Sequence, residues 1–283
     1  MKRILTFALA VLMIAGCAFT FASCGTGSDF EKIQDKGEMV VGYTVYAPMN
    51  YYDANGDLEA DESGEFIGFD TELAKLVGEK LGVTIKFQLI EWGNKYAELN
   101  SNAIDCIWNG FTSNSKDDDG IERKDKVDFT YAYLDNAQCV IVRADEINNY
   151  SNAASLQGKK AAAETGSAGE SYAKSVTDAE VVGRISQMDT FLDLKTGAVD
   201  FIVVDELLAD KIVGKGDYAD LKKANSITID TEVYSIGCRK DSDLDEKINE
   251  ALIELLNEGK IEELAAKYDV HVTKSLMDMK TAK

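Results

Sequence analysis

The chain has a single proline and a single histidine in 283 residues, and its 30 basic residues are outnumbered by 50 acidic ones. Each shortage excludes something. One histidine thins the list of His-dependent chemistries, from hydrolytic triads to His-rich metal sites. A formal net charge of −20 argues against nucleic acid as a partner, because phosphate binding needs a basic face. The five cysteines form no CxxC and no Cys/His ligand spacing, so neither a metal nor any other cofactor is indicated. No internal repeat and no Pro/Ser-rich linker interrupts the chain. What is present is a 45% apolar composition, that of a globular protein, in a chain long enough for about two domains.

The start has a different character. Met1-Lys2-Arg3 is basic, and Ile4 to Ile14 is apolar except for Thr6, the pattern of a secretory signal peptide. An uncleaved anchor is the competing reading, since Ile4 to Phe21 nearly reaches the roughly 20 apolar residues of a membrane span. Two cysteines compete for a lipoprotein processing site. Ile14-Ala15-Gly16-Cys17 has the better local pattern, but cleavage there would leave Ala18-Phe19-Thr20-Phe21 exposed. Cys24 is followed by the polar Gly25-Thr26-Gly27-Ser28, so Cys24 is preferred and Cys17 is the alternative. Lipidation there would tie an exported protein to the outer face of the cell membrane, at the cell surface or in the periplasm. Cys106, Cys139 and Cys238 lie in apolar strand-like runs, and buried free thiols are at least as good a reading as any disulfide.

Beyond residue 37 the periodicity alternates between strand and helix. Met39–Tyr43 and Val83–Leu89 read as strands around a helix over Phe69–Leu81 that stops at Gly82. A short helix over Asn94–Asn102 precedes a strand over Ile104–Trp108. A second series runs strand Ala161–Glu164, helix Gly169–Val176, strand Val181–Ile185, helix Met188–Thr196, strand Phe201–Val204. A last strand at Ile236–Arg239 leads to a helix over Leu244–Tyr268, broken at Gly259. Such alternation implies parallel sheets covered by helices. Two acidic stretches, Asp53-Ala54-Asn55-Gly56-Asp57 and Asp117-Asp118-Asp119-Gly120, begin like calcium loops but lack the required Gly and Glu, and are read as solvated turns.

Several separated segments stand in one order over more than 200 residues. They are Tyr46-Ala47-Pro48-Met49 after Val41-Gly42, Gly68-Phe69-Asp70, Ala103 to Gly110, Glu122-Arg123 with Val127-Asp128-Phe129-Thr130, Leu156-Gln157-Gly158-Lys159-Lys160, Gly166-Ser167-Ala168-Gly169-Glu170, Gly197-Ala198-Val199-Asp200, Asp205 and Arg239-Lys240. In this the sequence resembles the polar-amino-acid solute-binding proteins of bacterial ABC importers, from about Gly37 to Val270. The resemblance implies an α/β fold of two lobes, like that of periplasmic binding proteins, joined by two hinge-crossing strands near Tyr133–Asn136 and Glu232–Ser235. The segments it implies are a signal peptide and lipobox (1–24), a flexible tether (25–37), a first lobe (38–134 and 235–271), a second lobe (135–234) and a C-terminal tail (272–283).

The same resemblance implies site residues. Arg123 matches the arginine that holds the α-carboxylate, although about six extra residues lie between Thr112 and Arg123. Asp205, closing the run Phe201 to Val204, matches the acid for the α-ammonium. Gly166, Ser167 and Ala168 open a helix whose N–H groups form an anion site. Asn109, Gly110 and Thr112 match a segment whose carbonyls and hydroxyl take both ends of the zwitterion. Tyr46 and Trp92 match side chains around the ligand, Trp92 being equally readable as core, while Trp108, Asp70 and Asp200 read as structural. The implied function is a non-enzymatic, monomeric binder that captures a free amino acid by hinge closure and delivers it to an ABC permease and its ATPase subunits. The uncharged Tyr43-Thr44-Val45 before Tyr46 leans towards a polar or neutral solute, against which Glu91 weighs. An exported cyclohexadienyl dehydratase-like enzyme is the alternative; Glu91 and Glu164 are available proton donors, whereas His271 lies outside every matched cleft segment.

Overall fold

A computed structural model describes residues 27–53 and 64–281. The segment expected to be a signal peptide, Cys17, Cys24 and most of the first acidic stretch therefore lie outside the described residues. Two sheets organise the chain. In the first, strands Thr84–Leu89, Glu38–Tyr43 and Cys106–Ile107 run parallel in that order, and Gly237–Cys238 then pairs antiparallel both with Cys106–Ile107 and with Asp128–Phe129 at the edge. In the second the order is Leu221–Lys223, Leu134–Arg143, Phe201–Asp205, Ala161–Glu164, Val181–Arg184, the last three parallel.

The chain leaves the first sheet through Leu134–Arg143 and returns through Thr231–Tyr234. These strands pair antiparallel, Leu134 opposite Tyr234 and Asn136 opposite Glu232. They are the two crossing strands of a two-lobe fold.

Local chemistry explains the helices. Helix Phe69–Leu81 has Phe69, Leu73, Ala74 and Val77 on its buried face and ends at Gly82, whose left-handed conformation lets its N–H reach back to the last turn. Gly259 divides the last long helical stretch into Leu244–Asn257 and Lys260–Tyr268. These three helices pack together against the first sheet. Cys106, Cys139 and Cys238 are buried free thiols, the simpler of the two readings.

The expectation of a flexible tether fails. Within the stretch expected to be a flexible tether, Asp29–Lys36 is a helix with a capping box of Ser28 and Glu31. It is docked: Ile33 is buried, the Phe30 N–H donates to Asp243 Oδ1 at 3.0 Å, and Asp29 pairs with Arg239 at 2.7 Å.

Candidate functional site

Ligands of open α/β sheets lie beyond the carboxyl ends of parallel strands. In the first lobe those ends carry Tyr46 (after Glu38–Tyr43), Trp92 (after Thr84–Leu89) and Asn109-Gly110 (after Cys106–Ile107). In the second they carry Glu164 and Asp205, the final residues of their strands. All of these converge on one narrow cavity between the lobes. Thr112, Arg123, Gln138, Ser167, Ala168 and Gln187 complete its wall. Every residue expected at the site thus lines it except Gly166. The resemblance did not supply Gln138, Glu164 or Gln187.

Arg123 is 1% exposed. Its Nε donates to Asp117 Oδ1 at 2.9 Å, Nη1 to the Thr112 carbonyl at 3.2 Å and Nη2 to the Gly166 carbonyl at 3.2 Å. A guanidinium has five N–H groups, so one remains on each terminal nitrogen for a carboxylate. Burial pushes the Asp117 carboxyl up, but Arg123, Lys126 and Tyr96 outweigh it and hold it low. Gly166 does not line the cavity because its polar atoms are engaged elsewhere. Its N–H donates to Glu170 Oε2 at 2.8 Å, and its carbonyl accepts from Arg123 and from Lys95 Nζ, the latter at 3.0 Å. The helix-start positions Ala168 and Gly169 keep N–H groups with no acceptor inside their helix. Lys95 is buried over the rings of Trp92 and Tyr96, and burial, with Arg123 nearby, brings its ammonium down to about 7.

Asp205 is held by neutral donors. Its Oδ1 accepts from Asn136 at 2.6 Å, Gln138 at 2.8 Å and Tyr234 at 2.7 Å, and Oδ2 accepts from Gln187. The Tyr234 proton goes to Asp205, so Tyr46 donates in the 2.7 Å contact between the two hydroxyls. That chain links the lobes. It needs Gly110: at φ +55° a Cβ there would lie 2.8 Å from the Tyr46 ring and 3.0 Å from the Tyr234 ring.

Glu232 accepts from the same amides, Asn136 at 3.2 Å and Gln138 at 2.9 Å, and from the Thr112 hydroxyl at 3.0 Å. The Thr112 proton is therefore committed to Glu232. Burial pushes both Asp205 and Glu232 up; the charge of Asp205 pushes Glu232 further, while four hydrogen-bond donors offset part of the rise at Asp205. Asn109 has its amide engaged by Thr44 and Asn50 and contributes mainly rigidity. Trp92 both lines the cavity and packs edge-on against Phe111. Trp108 is core, and Asp70 accepts the Gly110 N–H at 2.8 Å, which makes it structural. Among the described residues the Glu91 side chain accepts from Asn94 on an exposed turn and is not on the cavity wall, and His271 is exposed.

The second acidic stretch is no solvated turn. Asp117 ties together Arg123, Lys126 and Tyr96. Asp118 crosses to the other lobe, accepting from Ser171 Oγ at 2.7 Å and pairing with Lys174. Among the described residues no cluster of metal-ligating side chains occurs. No described helix is long and apolar enough to cross a membrane.

Comparison with known proteins agrees with this architecture. The family of bacterial extracellular solute-binding proteins, family 3, matches residues 39–271. The arginine-binding extracellular protein ArtP of Bacillus subtilis is 25% identical over 265 residues, covering 91% of this chain and 96% of ArtP. The L-cystine-binding protein TcyJ of Escherichia coli is 27% identical over 271 residues, covering 94% and 95%. Among solved structures, a mutant of ArgBP from T. maritima has a TM-score of 0.73 at 30% identity, covering 85% of this chain and 99% of that one. A histidine-bound ABC uptake transporter substrate-binding protein from Streptococcus pneumoniae has 0.73 at 29%, covering 86% and 97%.

Proposed function

The chain belongs to the bacterial extracellular solute-binding proteins of family 3, and from that premise we propose that it captures a free amino acid by hinge closure and delivers it to an ABC permease with its ATPase subunits. The observation that carries this reading is that Arg123 and Asp205, from different lobes, share one small cavity. Arg123 and the N–H groups of Ala168 and Gly169 take the α-carboxylate, and Asp205 takes the α-ammonium. Residues 38–134 with 235–271 move as one body and 135–234 as the other, about the ladder that pairs Leu134 with Tyr234. Closure matters energetically. Micromolar affinity requires about 8 kcal/mol, and charge-assisted hydrogen bonds contribute about 1.5–3 kcal/mol each only where water is excluded.

The protein acts outside the cytoplasm as a monomer without turnover, tethered by a lipid on Cys24, with Cys17 as the alternative. Judged by the uncharged Tyr43-Thr44-Val45 alone the solute would be polar or neutral, whereas ArtP is named for arginine and TcyJ for L-cystine, and the side-chain preference turns on the cavity wall. One observation favours a second reading, a cyclohexadienyl dehydratase-like enzyme: Glu164 places a buried carboxyl, raised by burial and by Asp205, in the cavity, where an acid catalyst would stand. A thermal-shift panel of the standard amino acids with cystine and ornithine tests the main reading, and at least one should raise Tm. Stabilisation by none of them, or turnover of prephenate or arogenate, would overturn it.

A further inference from the structure

We propose that Glu164 is the specificity-determining residue of the cleft and receives a cationic group on the solute's side chain, making a basic amino acid the preferred solute. This deepens the amino-acid reading and rests on it. Glu164 is 4% exposed and lines the cavity, yet its carboxylate accepts no hydrogen bond and joins no ion pair among the described residues. The other buried acids beside it are provided for. Asp205 has four donors, and Glu232 has Thr112, Asn136 and Gln138. Burying a carboxyl without a partner is costly, so an unpartnered one aimed into a ligand cavity points to a group the ligand brings.

Charge balance makes that group a cation. A neutral amino acid brings one anion, matched by Arg123, and one cation, matched by Asp205, and leaves Glu164 unpaired. The nearest protein cations are already engaged. Lys95 donates to the carbonyls of Trp92 and Gly166, Arg123 pairs with Asp117, and Arg184, opposite Glu164 in the neighbouring strand, pairs with Asp193. The acids that face Glu164 are Asp205 and Asp189. Burial, with Asp205 beside it, pushes the Glu164 carboxyl well up, and a cation brought against it by the solute acts in the opposite direction.

Titration calorimetry of the full exported chain with arginine and with citrulline, its neutral near-isostere, tests this. Arginine should bind at least about tenfold more tightly than citrulline, the span of a charge-assisted hydrogen bond. In Glu164→Gln that ratio should collapse to within about threefold. Wild-type protein titrated in two buffers of different ionisation enthalpy should bind fewer protons with arginine than with citrulline, because a cation favours the ionised carboxyl, a readout that needs no variant. Equal affinities in the wild type, a ratio unchanged in Glu164→Gln, or identical proton exchange with the two ligands would overturn the inference while leaving amino-acid capture standing. Binding of no amino acid of any charge would overturn the underlying reading as well, and turnover of prephenate abolished by Glu164→Gln would make the group a proton donor instead.

Discussion

Asp118 offers a direct handle on lobe closure, because it belongs to one lobe and its partners Ser171 and Lys174 belong to the other. The contacts are half-exposed, with side chains of Asp118 and Lys174 35% and 45% accessible. An ion pair so placed is worth about 0.2–1 kcal/mol and the Ser171 hydrogen bond about 0.5–1.5 kcal/mol. Since the two share one carboxylate and are screened, about 1 kcal/mol for the clasp is a fair magnitude. Asp118→Ala removes it. The closed-to-open ratio should then fall about fivefold, and the apparent Kd of whichever amino acid binds should rise by a similar factor if the empty protein is mainly open. Titration calorimetry at low and high salt reads both effects, the wild type losing affinity with salt more steeply than the variant. Asp119→Ala is the control, since Asp119 contacts only Lys126 and the Ile121 N–H of its own loop. If Asp118→Ala binds as tightly as the wild type at low salt, the clasp does not contribute to closure and the reasoning fails.

Two other substitutions probe the walls of the site. Burial lifts the Asp70 carboxyl to about 6 against an ordinary value of 3.8, in spite of the Gly110 N–H it accepts. The folded state therefore binds the proton more tightly than the unfolded one, and stability should fall as pH rises from about 4 to 6 and stay lowered above that. Asp70→Asn keeps an acceptor for Gly110 and should raise the unfolding free energy at pH 7.5 by an amount on the order of 3 kcal/mol, with no difference at pH 3.5. Urea titrations at several pH values check this, and a variant less stable than wild type at pH 7.5 would contradict it. Gly110→Ala should cost about 1–2 kcal/mol for the left-handed backbone and also weaken amino-acid binding by displacing Tyr46 from Tyr234; unchanged affinity would show that the tyrosine chain is not needed.

Much of the architecture was legible because apolar spacing and glycine stops coincide. Phe69–Leu81 with Gly82 and the two helices flanking Gly259 are read directly from the sequence. The docked helix Asp29–Lys36 was not, because seven of its eight positions are polar or only partly buried and Ile33 alone is buried; the Ser28–Glu31 capping box was the signal available. The acidic stretch at Asp117 looked like a solvated turn since its partners Arg123, Tyr96, Ser171 and Lys174 are brought in by the fold, not by sequence proximity alone. Glu164 could have been weighed on the same grounds as Asp205, since each is an acid closing an apolar strand whose end faces the cleft. Gln138 and Gln187 carry no such mark, as their importance lies in bonding Asp205 from a strand and a helix distant in sequence.

The central claim is that a guanidinium from one lobe and a carboxylate from the other grip opposite ends of one amino acid. A crystal structure of the protein with its stabilising amino acid tests it most directly. The account predicts the α-carboxylate on Arg123 and the α-ammonium on Asp205 Oδ2, which carries a single donor in the structure described above. An amino acid held with its α-carboxylate away from Arg123, or its α-ammonium away from Asp205, would contradict it.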